Sequence, residues 1–207
     1  METMKKQTIL TFAVAVALAG ANFAQDKTYK PNDEGFIANW LCVLPITLDS
    51  ETGAAALDVE HIKGQGKIQP KAGEKIKIGS ETFTWEAQEA DETGLLNFET
   101  INGADNAAAY AVCYVIVEND WKGKAKTGSD DQAVLWINGK EVIRNETPRG
   151  TDIDQDEAEV TLTKGSNTIV FKIIEEGGDW SGRLRFTDGN DNPNTKIKIS
   201  LTPPAPK

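Results

Sequence analysis

Apolar positions along this chain fall in short runs or alternate with polar ones, and no segment keeps the 3.6-residue period of an amphipathic helix. The first run, Phe36 to Leu48, holds Trp40, Leu41, Val43 and Leu44, and Pro45 inside it predicts a strand that bends or ends there. Short strands are expected at Thr82–Trp85 and Leu95–Ile101, with mostly loop at His61–Lys77. Ala107 to Val117 is apolar nearly throughout and predicts a strand covered on both faces. Ala133 to Ile137 leads through Asn138-Gly139 into Val142-Ile143. Asn-Gly between apolar runs is a strong hairpin signal, because both turn positions need positive φ. Val160–Thr163 and Ile169–Ile174, separated by Lys164-Gly165-Ser166-Asn167, read as a second hairpin. Arg183–Phe186 and Ile197–Leu201 add two strands. About ten strands and no helix predict an all-β protein, an antiparallel β-sandwich of jelly-roll type.

The ends read differently. Lys5-Lys6 precedes an apolar stretch from Thr8 to Gly20, and Ala19-Gly20-Ala21 or Ala24 offers small residues for cleavage. Residues 1–24 are therefore expected to be a secretory signal peptide, too short to span a bilayer. Residues 25–35 read as a flexible arm, 36–201 as one β-sandwich domain, and 202–207 as a disordered Pro-rich tail. The expected location is secreted or periplasmic, without membrane insertion.

Charge narrows the function. With 22 Lys+Arg against 32 Asp+Glu the chain carries a formal charge of -10, which repels nucleic acid and anionic lipid. A single His, His61, excludes any site that needs two. There is no Gly-x-Ser-x-Gly, Walker or dinucleotide motif.

One region has a familiar pattern. Gly128-Ser129-Asp130-Asp131-Gln132 runs into Ala133–Ile137 and Asn138-Gly139, and Asp154-Gln155-Asp156, Lys164-Gly165-Ser166-Asn167 and Asp179-Trp180 follow. With the opening Asn39-Trp40-Leu41, this resembles exported bacterial β-sandwich domains of the galactose-binding-like type, often appended to secreted enzymes. The Ser-Asp-Asp…Asn-Gly core is also similar to sugar-binding domains of the protective-antigen type. The resemblance implies that Asp130 and Asp131 match a pair of adjacent aspartates that holds a calcium contacting sugar. Gln132 stands where that family usually has Gly.

Read without the resemblance, Asp130-Asp131 is either part of a calcium shell or a polar turn accepting backbone N–H groups. Asp152, Asp154 and Asp156 have the alternate spacing of calcium ligands, but Glu157 and Thr163 stand where an EF-hand needs Gly and Glu, so the other reading is a solvated loop. Trp121, Trp136 and Trp180 are candidates for a carbohydrate platform, since pyranose C–H faces stack on rings. If Leu135 and Ile137 point inward, alternation sends Trp136 outward. Cys42 and Cys113 form a disulfide or remain two buried thiols. The function expected is a non-catalytic module that binds carbohydrate or assists secreted carbohydrate-active enzymes. The alternative is a structural or protein-interaction module of the cell envelope with no sugar site. An enzyme such as a glycoside hydrolase is a third reading, for which composition singles out no carboxylate pair.

Overall fold

The computed structural model describes residues 27–205. The expected signal peptide, residues 1–24, lies outside them. The N-terminal half contains β1 (Thr28–Tyr29), β2 (Asn39–Thr47), a one-turn helix α1 (Gly53–Ala56), β3 (Lys75–Ile78), β4 (Glu81–Thr84), β5 (Glu86–Glu89), β6 (Leu96–Asn97) and a second short helix α2 (Phe98–Asn102). The C-terminal half is strand throughout: β7 (Ala107–Val117), β8 (Trp121–Asp130), β9 (Ala133–Ile137), β10 (Lys140–Asn145), β11 (Asp156–Leu162), β12 (Gly165–Glu175), β13 (Ser181–Thr187) and β14 (Lys198–Ser200). No described helix is long and apolar enough to cross a membrane.

The strands make an antiparallel β-sandwich. The large sheet runs β1-β14-β7-β12-β9-β10, with β2 and β5 joined beside β7, and the smaller runs β11-β8-β13-β6. Strand alternation splits the large sheet's side chains. Ala109, Ala111, Cys113, Leu135, Ile169, Phe171 and Ile173 face the smaller sheet and meet Ala125, Leu184 and Phe186. Tyr110, Val112, Tyr114, Val134, Trp136 and Val170 face the other way and pack under Leu57, Ile62, Ile68 and the β3–β4 hairpin. This double burial is why Ala107 to Val117 is apolar without alternation.

The Asn138-Gly139 turn forms as expected, with φ of 52° and 80° and Ile137 paired with Lys140. Other expectations are corrected. β11 and β12 are not a hairpin: β11 pairs with β8, while β12 pairs with β7 and β9, so the chain crosses from one sheet to the other between them. Asn167 holds that crossover, its amide donating to Thr163 O at 2.8 Å and its Oδ1 accepting from Thr163 N at 2.9 Å. The strand expected at Leu95–Ile101 is two residues of β6 followed by α2, whose first turn is capped by Asn97 Oδ1 accepting from Thr100 N. The segment expected to be a loose arm docks through β1 on β14. β8 was not expected at all. Cys42 and Cys113 lie on the paired strands β2 and β7 as free, buried thiols, and burial pushes both upward in pKa.

Candidate functional site

β8 is central to the smaller sheet, flanked by β11 and β13, and ends at Asp130. Asp131 opens the link to β9 and is held from several sides. Its Oδ1 accepts from Arg149 N at 2.9 Å and its Oδ2 from Glu176 N at 3.1 Å. Its backbone N–H donates to Ile174 O at 2.9 Å. Those bonds fix the carboxylate beside the end of β12, where Glu175 is the last strand residue. Oxygens of Asp130, Asp131 and Glu175 lie within 4.8 Å of one another.

The electrostatics are those of crowded acids. Glu175 is completely buried and neither of its oxygens has a hydrogen-bond partner by geometry. Burial, then Asp131 and Asp130, push its pKa up to about 8, with the Gly177 N–H acting in the opposite direction. Asp130, only partly buried, is raised to about 6 by burial and then by Asp131 and Asp179. Among the described residues, no Lys or Arg forms an ion pair with these three carboxylates. Beside Asp130 opens a cleft of about 580 Å³, with Asn97, Arg149, Asp152, Gln155 and Asp179 on its walls and Trp180 at its base.

The expected site residues are only partly gathered here. Asp130, Asp131, Asp152 and Trp180 are at or beside the cleft. Asp154 and Asp156 are not placed as ligands with Asp152. Asp154 forms a two-point ion pair with Arg185, its Oδ1 accepting from Nε at 2.8 Å, and also meets Lys126. Asp156 pairs with Arg149. Burial pushes the Asp154 carboxyl up, but Arg185 and then Lys126 outweigh it and lower the group.

The tryptophans need a larger correction. Trp180 is fully buried and stacks at a tilt on Phe98, ring centroids 5.2 Å apart, so it is core and offers no open ring face. Trp136 does point away from Leu135 and Ile137, as alternation requires, but that face is not solvent. It is 7% exposed, under the turn at Gln65–Lys67. A Cβ built on Gly66 would sit 2.7 Å from Trp136 Cδ1, so only glycine allows this close approach. Trp121 lies at the opposite end of β8 from Asp130.

Sequence reasoning missed Glu175. The signal was present: Ile169, Phe171 and Ile173 face the sandwich interior, and the next residue of that parity is Glu175. A carboxylate at an inward position of an apolar strand is an anomaly that calls for a partner.

No family model matches the chain, and no curated protein matches it either. Among solved structures, the PA14 domain of the antifreeze protein MpAFP is similar over 83% of this chain and 76% of that one, at 15% identity and a TM-score of 0.40. The GH31 alpha-xylosidase from Xanthomonas citri is similar over 84% of this chain, at 10% identity and a TM-score of 0.37, and the chain spans 18% of that enzyme. Nothing about ligand or activity follows from likeness at this level.

Proposed function

We propose that this protein is an exported, non-catalytic β-sandwich module that binds carbohydrate in the cleft beside Asp130, through a calcium ion held by Asp130, Asp131 and Glu175. The observation that carries the reading is the orphaned Glu175 carboxylate, buried against two further carboxylates with no cation among the described residues paired to them. Calcium takes six to eight oxygen ligands and favours carboxylates, so the donor set fits a hard cation. Three carboxylates would leave part of such a cation's shell unfilled, and Asp130 carries the cluster to the edge of the cleft. Vicinal sugar hydroxyls are suited to fill the rest of the shell, and Asn97, Gln155 and Asp179 supply hydrogen-bonding groups around the same space. This is also the role that the resemblance assigns to the adjacent aspartates.

A glycan array probed with calcium and again with excess chelator tests the proposal, alongside Glu175→Gln. Gln keeps the shape of Glu175 and removes its charge. The expected result is calcium-dependent glycan binding that falls at least about tenfold in Glu175→Gln, equivalent to 1.4 kcal/mol. Calcium should also raise the thermal midpoint of the wild type and leave that of the variant nearly unchanged. A wild-type thermal midpoint indifferent to calcium would refute the calcium role. Calcium binding without any glycan signal would favour a structural module of the cell envelope.

A further inference from the structure

The other end of β8 is built differently. Trp121 is the one tryptophan of the chain that is not buried, since Trp40, Trp85, Trp136 and Trp180 are all at 7% exposure or below. Its indole is fixed on two sides. It meets Phe186 edge to face, with centroids 6.0 Å apart and planes at 89°. It also lies over the backbone of Gly123, where a Cβ would come within 2.4 Å of Cη2 and Cζ2. Beside the ring is a pocket of about 420 Å³, walled by Asn119, Asp120, Pro193, Asn194 and Lys196.

The walls are also fixed, and they leave polar groups to spare. Asp188 Oδ1 accepts from Asn190 N and Asn192 N, which shapes the turn leading to Pro193. Asn194 N donates to Phe186 O at 2.8 Å, and its Oδ1 accepts from Lys196 N at 3.2 Å, which leaves the Nδ2 donors without a partner among the described residues. Asp120 Oδ1 accepts from Lys164 N at 2.7 Å, which leaves Oδ2 unengaged. A rigid half-buried ring bordered by unused amide and carboxylate groups is the arrangement that recognises a pyranose. The ring takes the C–H face and the rim takes hydroxyls.

We infer that the Trp121 pocket is a second carbohydrate subsite, independent of the cation cluster, that binds a neutral or amino-bearing pyranose. Glu118, Asp120 and Asp188 against Lys196 leave the lining negative, which disfavours uronic acids and phosphates. Trp121 and Asp130 are nine residue steps apart along the strand, or about 30 Å at 3.3 Å per step, so no single sugar unit reaches both ends.

The test uses the half-buried indole itself. Acrylamide quenching of tryptophan fluorescence is followed in excess chelator, in the wild type and in Glu175→Gln. The probes are cello-, xylo-, manno- and chito-oligosaccharides and a chitosan oligomer at millimolar concentration. At least one probe is expected to shield the indole equally in both proteins. Trp121→Ala should abolish the shielding, Trp121→Phe should retain part of it, and Asn194→Ala should weaken binding at least about threefold. Asn194→Ala and the wild-type quenching keep the inference testable if Trp121→Ala does not fold. No shielding by any probe overturns it, as does shielding that persists in folded Trp121→Ala. Because the assay excludes calcium, its failure and failure of the cation reading are separate results.

Discussion

The two faces of the large sheet are both dry, but they are made dry in different ways. The inner face meets a second sheet, and Leu135, Phe171 and Ile173 pack there against Leu184 and Phe186. The outer face is roofed by irregular chain and a hairpin, and polar contacts pin the roof down. Lys172 is completely buried on that side. Its Nζ donates to Ala56 O at 2.6 Å, Val59 O at 2.8 Å and Leu57 O at 3.1 Å. Tyr110 Oη donates to Gln65 Oε1 at 2.6 Å, and Tyr114 Oη to Pro70 O at 2.6 Å. A sheet can shield a sheet with side chains alone. Loop backbone carries its own polar groups, and each one buried needs a partner. That requirement accounts for a lysine and two tyrosines among the apolar residues of the outer face.

The strongest way to break this comparison is to truncate one large side chain on each face. Phe171→Ala inside and Trp136→Ala outside should each cost about 3–5 kcal/mol, measured by urea unfolding, because both leave a cavity in close-packed surroundings. A loss below about 1 kcal/mol for Trp136→Ala would mean that the roof yields and is not a second core.

Lys172→Met sharpens the contrast. It removes the donor shared by three carbonyls and should cost about 2–3 kcal/mol by leaving buried acceptors unpaired. It should also change the pH dependence. Burial lowers Lys172 from 10.5 to about 7, with Arg144 acting the same way and Asp58 the opposite. His61 and Tyr110 also face Lys172, the Tyr110 ring 5.5 Å from Nζ, and burial, then Lys172, lower His61 to about 4. Between about 7 and 10.5 the unfolded chain holds a proton that the folded chain has released. Stability linked to Lys172 is therefore fully present above the unfolded value and is lost as pH falls through the folded one. Relative to Lys172→Met, the wild type should gain about 1.4 kcal/mol per pH unit through the lower part of that window. Parallel profiles for the two proteins would show that Lys172 does not titrate there.

The smallest effect is expected at Gly66→Ala. The added methyl meets Trp136 and should cost about 1–2 kcal/mol through displacement of the turn. Increased quenching of Trp136 fluorescence would locate the damage at the roof.

The same comparison explains what was legible in the sequence. Asn138-Gly139 could be read because the turn needs only its own two residues. The double burial of Ala107 to Val117 could be read because both faces are written as apolar residues. The identity of the cover could not. Trp136 was rightly assigned to the opposite face from Leu135, yet the chain that buries it is a Gly-rich loop some seventy residues away, with no periodicity of its own. β8 was invisible for a related reason. Lys122, Lys124 and Lys126 alternate with Gly123, Ala125 and Thr127, so the strand owes its place to β11 and β13 on either side and not to its own apolar content. At the site, Asp130 and Asp131 announced themselves by adjacency. Glu175 entered only through the register of β12 against β7, where it pairs with Ala107.

The margins of the sheets carry a consequence for how the protein behaves at high concentration. A bare strand edge invites another chain to add on, and assembly can then proceed without limit. Among the described residues the outer strands of the two sandwich sheets are blunted. β1 and β6 are two residues long, and β5 ends at Glu86 and Glu89, both exposed. β10 shifts register between Glu141 and Ile143. β11 presents exposed Glu157, Glu159 and Thr161 in alternation. Crowded copies of this domain therefore meet charge, kinks or very short templates at the borders of the sandwich, and those borders resist fibril growth by their shape.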